Sequence, residues 1–224
     1  MLHDFRFAFR QLTKTRAFTA AAVVVLALGI GVNTAIFSLM DALLFQPPRY
    51  AQPHELMQVF SQDKKNPESF RGFSYPTYLD IRQQNPVFSG VMAHNLAMVG
   101  VGEKGNTRRA FTDVVSANYF SVMGVQPMLG RAFRPEEETP GRKSAVAIVS
   151  YNYWKRQRLD PALLGSTIRI DARPYLVIGI LPQGFTGTTQ IFAPEIWLPL
   201  GVYDQVANDF ETENKGKLND RAGR

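Results

Sequence analysis

The chain has 224 residues, a formal net charge of +6 and no cysteine. The absence of cysteine excludes disulfide bridges and metal sites built from thiolates. The basic residues are spread along the chain rather than clustered on one element with aromatic residues between them, so composition does not favour a nucleic-acid-binding protein. The length suffices for one domain, or two small lobes, beside a membrane segment.

A long uncharged run, AFTAAAVVVLALGIGVNTAIFSLM, covers residues 17–40. At about 1.5 Å of rise per residue, a helix of this length extends about 36 Å and can cross a hydrocarbon core of about 30 Å. Four basic residues and one acid precede the run, and the first charge after it is Asp41. The positive-inside rule therefore predicts residues 1–16 in the cytoplasm, a transmembrane helix over 17–45 and the remainder outside the cytoplasm.

A cleaved signal peptide is the alternative interpretation of the same pattern. Its apolar region is normally about 7–15 residues long, which is much shorter than this run, and it usually follows only a few basic residues. The pattern favours a retained membrane span. A buried helix of a soluble protein is disfavoured because the run offers no polar face.

Residues 1–16 precede the span and include an amphipathic pattern. Leu2, Phe5, Phe9 and Leu12 recur at helical spacing, and basic residues fall on a neighbouring face. Such a helix lies in the headgroup layer, with its aromatic side toward the acyl chains and its basic side toward anionic lipid. A plain basic flank is the alternative. The predicted contacts with membrane lipid are made by Phe5, Arg6, Phe9, Arg10, Lys14 and Arg16.

Within the span, Ala27, Gly31 and Ala35 lie four residues apart, and Asn33 is close to them in sequence. Small residues at this spacing let a second helix approach closely, and an asparagine within the membrane can hydrogen-bond across the contact. These four residues are predicted to pack against partner helices. The alternative is that Ala and Gly are simply common in membrane helices.

The remaining sequence predicts a mixed α+β domain with short helices. Ser74 is expected to cap a helix over 75–84, and Ser116 a short helix over 117–123 that Gly124 closes. A further helix is predicted over 151–158. Strands are predicted over 56–60, 90–101, 107–115, 145–150, 167–171, 174–181 and 195–200, with a hairpin turn at Ala172–Arg173.

No catalytic, cofactor or metal site is predicted. GVGEKG (100–105) matches a dinucleotide-binding pattern, but the residues that follow alternate as a strand, which predicts a turn rather than a phosphate loop. His94 lies in a predicted strand and is expected to be satisfied or exposed. The acidic run Glu136–Glu138 is expected to be a solvated loop. Nucleophile, base and orienting residue do not come together in any motif of the sequence.

Four segments resemble the MacB/FtsX-type ABC transporter permeases, in particular the acidobacterial duplicated orphan permease branch. The N-terminal stretch 4–44 resembles the cytoplasmic helix and first span of these proteins, and 74–90, 115–133 and 145–187 resemble their periplasmic core domain. The residues most typical of the family are Gly29, Gly31, Asn33, Tyr119, Phe120, Gly124, Gly130, Trp154, Gly165, Gly179, Pro182 and Trp197.

The resemblance implies a fold and a function. It implies an α+β, two-lobed periplasmic core domain over 46–203 with an inserted lobe at about 116–195. Residues 204–224, which contain few apolar side chains, form a polar tail. The resemblance also implies a permease-type subunit in the inner membrane that transmits helix motion, driven by a separate cytoplasmic ATPase subunit, to the periplasmic domain. Further permease helices or a second copy are the implied membrane partners.

The chain ends at Arg224, whereas the resemblance implies a returning half of the domain and further spans. We therefore expect an incomplete domain whose first lobe leaves a strand edge or an apolar face uncovered. A single-span, membrane-anchored receptor or binding module is the alternative function, and an extracytoplasmic enzyme is a third.

Overall fold

The computed structural model describes residues 14–41, 55–62, 68, 70–103, 105–142, 144–188, 192–206 and 218–219. The chain separates into two compact units, Met1–Pro47 and Pro48–Arg224. Helix α1, Arg16–Met40, forms the described part of the first unit and buries none of its residues. Its mean hydropathy reaches 2.2, so the helix is long and apolar enough to cross a membrane.

The second unit begins with a small strand pair and a helix. Strand β1, Ser61–Gln62, pairs antiparallel with β2, Phe70–Arg71. The prediction of a strand over 56–60 is wrong, because the hydrogen-bonded ladder begins only at Ser61. Helix α2, Tyr75–Gln84, has the predicted bounds, and the Ser74 side chain accepts a hydrogen bond from the Thr77 N–H as an N-cap.

Among the described residues, seven further strands form one sheet in the order β5-β8-β6-β9-β4-β3-β7, and β7 also pairs with β8. Six of the strands therefore close into a small barrel, with β5 attached to β8. The β4–β9 and β6–β8 pairs are parallel and the others antiparallel. The strands are β3 His94–Glu103, β4 Asn106–Val115, β5 Leu129–Gly130, β6 Val146–Val149, β7 Thr167–Ile170, β8 Arg173–Ile180 and β9 Ile196–Pro199.

Two apolar cores lie on opposite faces of this sheet. All six barrel strands contribute to the first core, which fills the barrel interior and includes Val99, Val114 and Leu198. The second core lies outside β4, β6, β8 and β9 and includes Phe120 and Trp197. Neighbouring residues of a strand point to opposite faces, and an apolar core covers each face of the central strand β9. This strand is therefore buried along its whole length.

Helix α3, Tyr119–Val122, contributes two aromatic residues, Tyr119 and Phe120, to the second core. Gly124 has φ of 65°, and its N–H and that of Val125 donate to the carbonyls of Ser121 and Phe120, which is the Schellman arrangement. The predicted role of Gly124 is confirmed. Ser116 does not cap the helix with its side chain; its hydroxyl instead accepts the Ala93 N–H, because the chain turns back toward β3 at this point.

The remaining helices are short. Helix α4 is Pro135–Glu138, and α5, Tyr151–Arg156, ends two residues before its predicted limit. Turns of 3₁₀ helix cover Pro161–Leu163 and Leu200–Gln205. The β7–β8 turn consists of Asp171 and Ala172, both with positive φ, rather than Ala172–Arg173. The domain is α+β, as predicted.

The predicted domain bounds, 46–203 with an inserted lobe at about 116–195, stay predictions. Residues after 203 also contribute to the packing, because the first core includes Val206 and Leu218. Strands before and after residue 116 share one sheet, so the described residues show no division at that position. Strand β3 pairs with β4 along its whole length but with β7 at Val101 alone, so the expectation of an uncovered strand edge or apolar face stays a prediction.

Candidate functional site

The predicted packing residues of the span do not share one face. Helix α1 is continuous, so Ala27, Gly31 and Ala35 form one stripe, whereas Asn33 lies about 200° around the helix from Gly31. Gly29, four residues before Asn33, falls on the Asn33 side. A Cβ atom added at Gly29 or Gly31 would meet nothing within 4 Å. The span therefore offers two narrow faces, and one partner helix cannot contact both of them.

Two of the six predicted interfacial residues belong to the described part of the chain. Lys14 and Arg16 are exposed at the N-terminal end of α1. Phe5, Arg6, Phe9 and Arg10 lie outside the described residues. Their contact with lipid stays a prediction.

A polar clamp fastens α2 to the barrel unit, and its centre is the carboxylate of Glu138. Glu138 is 4 % exposed. Its Oε2 accepts the Ala117 N–H at 2.8 Å, and its Oε1 accepts the Tyr75 hydroxyl at 3.3 Å and lies 3.5 Å from Arg82 Nη1. Burial raises the pKa of Tyr75, and the charge of Glu138 raises it further. One carboxylate thus joins two residues of α2 to the segment before α3.

A second set of hydrogen bonds runs parallel to the first. The Tyr78 hydroxyl donates to Asn118 Oδ1 at 3.4 Å, and the Asn118 amide donates to the Val91 carbonyl at 2.8 Å. Asn118 Oδ1 also accepts the hydroxyl of Ser116 at 2.8 Å. Asn118 therefore ties α2, the segment that leads into β3 and the segment that leaves β4. We use the name clamp for Tyr75, Tyr78, Arg82, Ser116, Asn118 and Glu138.

The neighbouring acid, Glu137, holds α4 in place. Its carboxylate accepts hydrogen bonds from Nη2 and Nη1 of Arg131, at 2.7 and 3.1 Å, and from the backbone N–H of Arg134 at 2.8 Å. Burial acts to raise the pKa of Glu137, but these donors outweigh it and lower the pKa. The prediction of a solvated acidic loop is wrong, because the three acids belong to helix α4 and Glu137 and Glu138 are buried; only Glu136 is exposed.

The glycine-rich stretch 100–105 belongs to a hairpin. Gly100 and Gly102 lie on β3, and β4 begins at Asn106 without an intervening helix. No helix N-terminus is therefore available to hold a phosphate here, as the sequence predicts. Within the ranges described above, acidic and histidine side chains form no group of three that could bind a metal ion.

A sequence model of the family described as MacB-like periplasmic core domain matches residues 19–220. The chain belongs to this family. Among solved structures, the extracellular domain of the noncanonic ABC-type transporter YknZ from Gram-positive bacteria aligns with a TM-score of 0.51 and 16% identity, over 66% of this chain and 73% of that one. The likeness shows a shared fold.

The periplasmic region of MacB from Actinobacillus actinomycetemcomitans aligns with a TM-score of 0.49 and 14% identity, over 70% of this chain and 68% of that one. A comparison with curated proteins finds no match. The findings point to an ABC transporter permease-type protein and indicate no enzyme family.

In this MacB-like core domain the clamp is what sequence reasoning missed. Its residues are separated by up to 63 positions, and pairing over that distance has no local signature. A partial signal was present, because proline followed by acids is typical of the first turn of a helix. That signal predicts α4, but it does not predict that Glu138 turns toward α2.

Proposed function

We propose that the chain is a permease-type subunit of an ABC transporter system, anchored by α1, whose MacB-like domain receives motion generated by a separate cytoplasmic ATPase subunit. The observation that carries the proposal is a membrane-competent helix followed by a MacB-like periplasmic core domain. Within the family we assign the chain to the acidobacterial duplicated orphan permease branch, on the segments quoted from its sequence.

Force transmission requires that the segments that follow the span be joined stiffly to the rest of the domain. The clamp supports such a role, because the buried Glu138 carboxylate and the Asn118 side chain accept hydrogen bonds from Tyr75 and Tyr78 on one face of α2. A hydrogen-bonded network that is satisfied throughout resists shear better than an apolar contact, since sliding would leave buried polar groups without partners. Motion that reaches α2 would therefore be passed to the barrel.

The two faces of α1 support further membrane partners. We propose that the stripe of Ala27, Gly31 and Ala35 packs against one permease helix, and that the Gly29 and Asn33 face packs against a second helix or a second copy of the chain. Small residues allow the first contact, and the asparagine amide offers interhelical hydrogen bonds to the second.

We propose that the N-terminus is cytoplasmic, that the domain is periplasmic and that the membrane is the inner one. The chain lacks cysteine, so a single introduced cysteine gives a unique label. In intact cells a membrane-impermeant maleimide should label Asn106→Cys, which is exposed beside the β3–β4 turn, but should not label Lys14→Cys. Labelling only at position 14 would overturn the orientation.

The ATPase partner is tested by affinity purification of the full chain from its native membranes. The purified complex should hydrolyse ATP, whereas the chain expressed alone should not. Absence of an ATP-hydrolysing subunit from gently solubilised native membranes would favour the single-span receptor instead.

A further inference from the structure

A buried acid–base pair lies next to the clamp and is used by none of the contacts described above. Asp113, on β4, is 1 % exposed and lies on the outer face of the barrel with Val115 and Trp197. A carboxylate in such apolar surroundings is costly unless a cation or several donors compensate its charge. His94 supplies that partner, with its Nδ1 3.3 Å from Asp113 Oδ1.

The register of the hairpin brings the two side chains together. His94 pairs with Val115 and Leu96 pairs with Asp113 across the β3–β4 ladder, so His94 and Asp113 are diagonal neighbours on one face. The His94 side chain keeps 22 % of its surface exposed, whereas the Asp113 side chain keeps 2 %. Protons can therefore reach the imidazole from solvent while the carboxylate stays enclosed.

The surroundings determine which protonation state is preferred. Burial lowers the pKa of His94, but the charge and hydrogen bond of Asp113 outweigh it and raise the pKa above its ordinary value. The other titratable ring facing His94 is Tyr119 of α3, whose centroid lies 6.3 Å away. Burial, reinforced by Asp113, raises the pKa of Tyr119, so that ring stays neutral.

We propose that His94 and Asp113 form a proton-dependent latch at the joint between the clamp and the barrel. At this joint the residue before β3 is hydrogen-bonded to the residue after β4: the Ala93 N–H donates to Ser116 Oγ, and the Ser116 N–H donates to the Ala93 carbonyl. With His94 protonated, an ion pair holds the start of β3 on the end of β4. With His94 neutral, the buried carboxylate loses its countercharge and the joint loosens.

The direction of the pH effect follows from the raised pKa. The stabilisation is fully present below the unfolded pKa of histidine, about 6.5, and is lost as pH rises through the higher folded value. In a domain outside the cytoplasm, the contact between the start of β3 and the end of β4 would thus become more stable in acid. The effect on force transmission rests on the proposed function, whereas the latch itself does not.

The latch is tested on the full chain in detergent by measuring the pKa of each histidine from exchange of its C2 proton. His94 should titrate above about 6.5. In Asp113→Asn its pKa should fall to that value or below. A His94 pKa at or below the ordinary value in the unchanged protein would overturn the proposal.

A second measurement stays decisive if Asp113→Asn does not fold. Amide exchange at Ser116, corrected for its intrinsic pH dependence, is followed from acid to alkaline pH. Between acid and alkaline pH, the protection of the Ser116 amide should fall about tenfold for each unit by which the pKa of His94 in the folded protein exceeds its pKa in the unfolded protein. His94→Gln should abolish the dependence, and the matched control His54→Gln should retain it. An unchanged profile in His94→Gln would overturn the latch without affecting the proposed function.

Discussion

Replacing Glu138 by alanine should loosen α2 from the barrel unit. The change removes the acceptor of the Ala117 N–H at 2.8 Å and of the Tyr75 hydroxyl at 3.3 Å. An unsatisfied buried group costs about 1–3 kcal/mol, and the lower half of that range applies because both donors are only partly buried. The 3.5 Å contact with Arg82, a side chain 38% exposed, adds little after solvent screening. For the two donors together we expect a loss of about 2–4 kcal/mol in the free energy of unfolding.

The assay is denaturant unfolding of the full chain in detergent, followed by tryptophan fluorescence. Both tryptophans lie in the second unit, and Trp197 is fully buried in its second core. The matched control is Glu136→Ala, which removes an exposed acid two residues away and should change stability by less than about 0.5 kcal/mol. Glu138→Gln keeps one acceptor and should fall between the two. If Glu138→Ala and Glu136→Ala destabilise equally, the clamp argument is refuted.

Three further predictions concern the span, the hairpin and a close backbone contact. Gly31→Leu and Gly29→Leu should each weaken helix association in a membrane two-hybrid assay, but against different partners, because the residues lie on opposite faces of α1; identical losses would contradict two faces. Changing Gly102 or Gly105 should not alter nucleotide binding by the purified chain, which should stay at background; binding lost in these variants would show a phosphate site. Gly130→Ala should lower the free energy of unfolding by about 3 kcal/mol or more, because an added Cβ would lie 2.1 Å from the Ile178 carbonyl oxygen. The control Gly141→Ala, at a position with φ of 79° and open space, should lower it by about 1–2 kcal/mol in the same denaturation assay.

The sequence by itself determined the features that depend on neighbouring residues. The uncharged run over residues 17–40 can only be a helix in lipid, and the Ser74 and Gly124 caps depend on side chains and φ angles within one turn. The strands of the barrel were predicted to within a few residues, because alternation and β-branched runs are local patterns.

Tertiary structure decided everything that depends on distant partners. The barrel closes through β7, which pairs with β3 at one position and β8 along its length, and no local pattern specifies that closure. The acidic run shows the same limit: Pro135 and the three acids predict polarity, but only packing against α2 buries Glu138 and leaves Glu136 exposed. The desolvation of a charge is set by what covers it. In this protein the residues that cover the buried charges are distant from them in sequence. The sequence therefore determines the span, the caps and the strands, whereas the clamp and the buried His94–Asp113 pair form only when the chain folds.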